Sequence, residues 1–174
     1  MSSRSAFRVA CLATLGLLVS CASAAAAPRP ADLWATVNIC DTLRHPNQMG
    51  VRASMPGDGT REQMFMRFRA QFYDATKKKW FPVMGNGKSG WISVGSARFK
   101  TRQTGWTFMF KAPAPGSTFT LRGVVDFQWR TKHRSDGRLH TVIVRRAHAN
   151  TKGGFKSTLG ADPPGYSNGI CQIH

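Results

Sequence analysis

The stretch Met64-Phe65-Met66-Arg67-Phe68-Arg69-Ala70-Gln71-Phe72-Tyr73 alternates with a period of two. Met64, Met66, Phe68, Ala70 and Phe72 fall on one side, and Arg67, Arg69 and Gln71 on the other. Successive side chains of a strand point to opposite faces, so the pattern predicts a β-strand with an apolar face in the core and an arginine-bearing face in water. A helix would need apolar residues at three- and four-residue spacing, and no stretch of useful length after residue 27 shows it.

A second segment, Phe119 to Arg130, carries the same signal. Phe119, Leu121, Gly123, Val125, Phe127 and Trp129 are expected inward, with Arg122, Asp126, Gln128 and Arg130 outward and Val124 as an apolar exception. Shorter runs surround these two: Leu33–Cys40, Gly50–Met55, Trp80–Val83, Trp91–Val94, Ala97–Thr101, Trp106–Phe110, Leu139–Arg146, and a final edge strand at Ile170–Cys171. Turn signals separate them at Pro46-Asn47, Pro56-Gly57-Asp58-Gly59, Gly85–Gly90, Pro113–Gly116 and the basic stretch Thr131–Arg138. Roughly seven to nine short strands spaced in this way predict an all-β fold, an antiparallel β-sandwich of immunoglobulin-like or fibronectin-III-like pattern. A small β-barrel is the alternative, because period-two alternation is the same in open and closed sheets. Neither the inter-sheet disulfide spacing nor the tyrosine corner of immunoglobulin domains is present, so the likeness is one of pattern.

Ahead of the strands stands a segment with Arg4 and Arg8, an apolar stretch from Val9 to Val19, and the run Ala22-Ser23-Ala24-Ala25-Ala26-Ala27. These are the parts of a secretory signal peptide over residues 1–27, which leaves residues 28–174 as a single exported domain. The apolar stretch is shorter than the ~20 residues of a membrane span, although a retained N-terminal anchor competes with cleavage. No transmembrane segment is expected after processing. Leu18-Val19-Ser20-Cys21 also resembles a lipobox, so lipidation of Cys21 and anchoring as a lipoprotein is the alternative to free secretion or residence in the cell envelope.

Four cysteines are present; Cys11 is expected to leave with the leader, and Cys21 either leaves or carries lipid. That leaves Cys40 and Cys171, one pair with one connectivity, expected to form a disulfide in an oxidising compartment.

The charge balance is lopsided: 25 Lys+Arg against 8 Asp+Glu, a net +17 that loss of Arg4 and Arg8 lowers by only two. Such a surface attracts polyanions. The outward arginines Arg67, Arg69, Arg122 and Arg130 and the turn lysines Lys77, Lys78 and Lys79 are the candidate polyanion-binding residues, with Phe65 and Tyr73 nearby for stacking. Arg98, Lys100 and Arg102 are expected in strands on solvent faces as well. The expected partner is an anionic cell-envelope polymer or a surface protein. No recognition motif for sequence-specific nucleic-acid binding is present, and the sequence leaves the oligomeric state open.

Catalytic motifs are weak. Gly87-Lys88-Ser89 lacks the upstream glycine of a phosphate loop, where Pro82 stands instead, and Trp91 stands where a nucleophile elbow needs its last glycine. Glu62 is the single glutamate, and the aspartates are scattered. Asp126 is expected in a surface ion pair with Arg122, Arg130 or a cross-strand Arg67 or Arg69. The histidines His45, His133, His140, His148 and His174 are dispersed, and Met64 and Met66 fit a core better than a thioether metal site. The reading is therefore a basic, non-enzymatic module without cofactor or metal. The alternatives are a structural or accessory envelope domain with no specific ligand, and an enzyme of unrecognised type.

Overall fold

A computed structural model describes residues 33–155 and 158–174. The signal-peptide and Cys21 expectations lie outside the described residues. The chain order is β1 (Trp34–Thr42), β2 (His45–Pro56), β3 (Gln63–Asp74), β4 (Lys79–Pro82), β5 (Ile92–Ser96), β6 (Thr101–Met109), β7 (Phe119–Ser135), β8 (Arg138–Asn150) and β9 (Cys171–Ile173). One sheet has three strands in the order β1-β2-β6. The other has six, β4-β3-β7-β8 with β5 also paired to β3 and β9 to β7. All strand pairs are antiparallel. Neither sheet closes on itself, so the barrel alternative has no support. Among the described residues, no helix is long and apolar enough to cross a membrane.

The core lies where the period-two patterns meet. Ala35 and Val37 of β1, Met49, Val51, Ala53 and Met55 of β2, and Phe108 of β6 face Met64, Met66, Phe68 and Ala70 of β3 and Leu121, Val125, Phe127 and Trp129 of β7. Each large side chain among them contributes about 1.5–3 kcal/mol by leaving water. Unbranched methionines fill gaps between two curved sheets without demanding one rotamer. The Trp129 indole, fully buried, donates its N–H to the Pro56 carbonyl at 3.2 Å. The sheets touch at Gly123, where a Cβ would stand 2.7 Å from Val51 Cγ2.

Cys40 and Cys171 are bonded, with Cα atoms 5.3 Å apart. The bond ties β1 of one sheet to β9 of the other, and so crosses the sandwich. The stretch before β9 runs beside β1. Val37 and Asn168 exchange amide and carbonyl bonds at 2.8 and 3.0 Å, Asp162 N–H donates to Asn38, and Lys152 N–H to Ala35. This covers an edge that would otherwise be open to other chains.

The structure corrects four expectations. Phe72 and Phe119 are 40 % and 38 % exposed rather than buried; both sit near strand ends, where packing covers a side chain less completely. The turn after β1 falls at Leu43 and Arg44, and Pro46-Asn47 belongs to β2. Ala97–Lys100 is a turn, not a strand. The Ala97 carbonyl there accepts the amides of Asp58 and Gly59, a local network that replaces ladder pairing. Finally, Thr131–Ser135 continues β7 instead of turning. Asp136 and Gly137, with φ of 50° and 72°, close the β7–β8 hairpin in two residues, the geometry a tight primed turn requires.

Candidate functional site: a cationic sheet face

The outer face of the six-stranded sheet follows from register. Arg67 stands opposite Asp126, Arg69 opposite Val124, Gln71 opposite Arg122, Phe65 opposite Gln128 and Gln63 opposite Arg130. Because Met64, Met66, Phe68 and Ala70 are buried, their alternating neighbours must face out. The structure therefore brings Arg67, Arg69, Arg122 and Arg130 onto one surface, as the sequence predicts. Arg122 and Arg130 are eight positions apart in β7, roughly 26 Å at about 3.3 Å per residue.

The arginines divide into two kinds. Arg67 donates from Nε and Nη2 to Asp126 Oδ2 at 3.1 and 3.0 Å. Arg69 donates from Nε to Oδ2 at 2.9 Å and from Nη2 to Oδ1 at 2.8 Å. Asp126 thus neutralises part of the centre of the face. Arg122 and Arg130 have no carboxylate partner among the described residues. Each instead donates its Nε to a glutamine, Arg122 to Gln71 and Arg130 to Gln128, both at 2.8 Å. Those bonds fix the plane of each guanidinium and leave its terminal N–H groups available to a ligand.

Aromatic rings support the cations from the side. The Arg122 Cζ lies 4.4 Å from the Trp80 ring centroid, and Arg67 lies 4.6 Å from Trp91. Arg130 is 4.0 Å from Phe65 and 4.8 Å from Trp91. Stacking of this kind stabilises a guanidinium by about 0.5–2 kcal/mol and holds it flat. Burial moves the Arg122 and Arg130 guanidinia below the ordinary arginine value, although arginine stays charged at neutral pH.

The other candidates are placed differently. Lys77, Lys78 and Lys79 form the β3–β4 tip, and Lys77 leans over the Phe81 ring at 5.2 Å. Phe81 pairs with Phe72 on the opposite face, so this lysine turns away from the arginine row. Arg98 and Lys100 sit in the Ala97 turn, while Arg102 caps Phe99 at 3.7 Å. None of the three joins the face. Sequence reasoning missed Trp80 and Trp91 as partners because each lies near a strand end, where alternation does not reveal the face.

Ser89 is buried and committed to structure: its hydroxyl accepts the Phe68 amide at 2.9 Å and donates to the Gly90 carbonyl at 2.7 Å. Asp126 faces His148 across the β7–β8 register, and both line a cleft of about 300 Å³. The Asp126 side-chain bonds nevertheless all come from Arg67 and Arg69. Arg145 pairs with Asp58 and Glu62 and stacks on Trp129 at the end of the core, which removes those two acids from the outer face. Among the described residues, no group of three or more His, Cys, Asp and Glu could hold a metal. No protein-family model and no curated protein matches the chain.

Proposed function

We propose that this is an exported, non-enzymatic binding module that holds an extended anionic polymer of the cell envelope along the outer face of its six-stranded sheet. The observation that carries the reading is the pair Arg122 and Arg130. Both guanidinia are stacked on rings, positioned by glutamines and without a carboxylate partner among the described residues. Preorganised cations lose little freedom on binding, so the charge they bring is not spent on ordering side chains. Export is supported by the disulfide, which persists in oxidising compartments. The strand order β1-β2-β6 against β4-β3-β7-β8 supports an immunoglobulin-like or fibronectin-III-like reading of the sandwich.

Retention on heparin as a function of salt tests the proposal. Arg122→Gln with Arg130→Gln should lower the slope of log affinity against log salt by about two. Arg98→Gln with Lys100→Gln removes the same charge away from the face and should have a clearly smaller effect. Equal losses from both pairs would show that net charge alone is responsible.

A further inference from the structure

At Arg130 the sheet changes shape. Strand β3 begins at Gln63, opposite Arg130, so β7 and β8 continue beyond that point as a two-stranded ribbon without β3 beside it. The register also slips there. Trp129 pairs with Arg145 but Arg130 pairs with Ile143, which leaves Val144 as the extra residue of a bulge. Bulges increase local twist and re-aim side chains. The step between the start of β3 and the departing ribbon is a cavity of about 550 Å³. Its lining includes Arg61 from the β2–β3 loop, Gln63 and Phe65 of β3, Arg130 and Lys132 of β7, and Thr141 of β8.

Three cations from two separate chain segments face this space, and no carboxylate lines it. The neighbouring acid Glu62 is turned away, accepting from Arg145 at 3.0 Å. The Arg61 and Lys132 side chains have no hydrogen-bond or ion-pair partner among the described residues, and Arg130 uses only Nε, toward Gln128. Lys132 and Thr141 are register partners across β7 and β8, and both line the cavity. A single carboxylate is satisfied by one guanidinium fork, whereas this arrangement offers two forked or pointed cations more. A phosphate monoester carries up to two charges and three terminal oxygens, which matches that surplus of donors. Phe65 gives the ester's carbon portion an apolar surface.

We propose that this cavity is a binding site for a compact phosphate monoester, with Arg61, Arg130 and Lys132 holding the phosphoryl group. It shares Arg130 with the polymer face, but it needs no polymer to be filled. Calorimetric titration with glycerol phosphate, methyl sulfate and acetate at equal ionic strength tests it. Glycerol phosphate should bind one-to-one and more tightly than methyl sulfate, with acetate weakest. Arg61→Gln with Lys132→Gln should weaken glycerol phosphate by about tenfold or more, as expected for lost charge-assisted bonds. Both residues are exposed, so the variant should fold. Arg122→Gln should leave glycerol phosphate binding unchanged while lowering retention on heparin. Acetate or methyl sulfate binding as tightly as glycerol phosphate would overturn the proposal, as would a double variant that binds it undiminished. Glycerol phosphate binding that survives alongside heparin retention indifferent to Arg122→Gln would sink the polymer reading alone.

Discussion

Arg69 and Asp126 meet fork to fork, with parallel bonds of 2.8 and 2.9 Å across β3 and β7, and Arg67 adds a second guanidinium to the same carboxylate. One acid therefore holds two of the four candidate arginines in check. Asp126→Asn removes that competitor for Arg67 and Arg69. Retention on heparin should rise, with elution at higher salt than the parent protein. Stability should fall by about 1–2 kcal/mol, since the pair is partly solvated. Chromatography and denaturant unfolding on the same sample check both halves. A variant that binds heparin less tightly would contradict the assignment.

The Cys40–Cys171 bond spans 131 positions. Closing so long a loop removes much of the freedom of the unfolded chain, so reduction should cost about 2–5 kcal/mol. A denaturant midpoint measured with and without reductant reads this directly. The bonded form should unfold at clearly higher denaturant than the reduced form.

Asp58 gives the fold an acid-sensitive contact. Burial opposes its ionisation, but the Thr60 hydroxyl and amide and the Arg145 charge together outweigh burial and hold its carboxyl below the ordinary value. A group whose value is lower in the folded state stabilises above its unfolded value and loses that contribution as the pH falls through the folded one. The stability advantage over Asp58→Asn should therefore be present at neutral pH and shrink as the pH falls below about 4. Melting temperatures of both proteins across that range test it. An advantage that grew on acidification would contradict the sign.

Gly57 leaves no room for a side chain. A Cβ there would lie 2.0 Å from the Phe99 carbonyl oxygen and 2.3 Å from that of Ala97. Backbone atoms cannot step aside as a flexible side chain can. Gly57→Ala should destabilise by about 3 kcal/mol or more, beyond ordinary overpacking. Ala53→Gly, away from this turn, should cost less and serves as the comparison in thermal unfolding.

Several features of the site were legible early. Alternation along Met64–Ala70 and Leu121–Trp129 assigned their faces correctly because strand periodicity is local and needs no knowledge of neighbours. It misjudged Phe72 and Phe119, since alternation gives direction but not how completely a strand end is covered. It also placed Arg98 and Lys100 on the sheet. In a short run containing Ala97 and Phe99, alternation cannot compete with the carbonyl of Ala97 collecting two amides from a distant turn.

The chain's own pattern determined that it folds as sheets, which side of its main strands is arginine-rich, and that Cys40 and Cys171 were the pair available to bond. Each of these depends on residue type and near-neighbour spacing. Only the tertiary structure decided that Asp126 answers Arg67 and Arg69 rather than Arg122 and Arg130, that Trp80 and Trp91 lie beside guanidinia, and that Arg61, Arg130 and Lys132 line one cavity beside the start of β3. Those outcomes rest on strand order and register, which are set by packing between segments tens of residues apart and leave no local signature in the sequence.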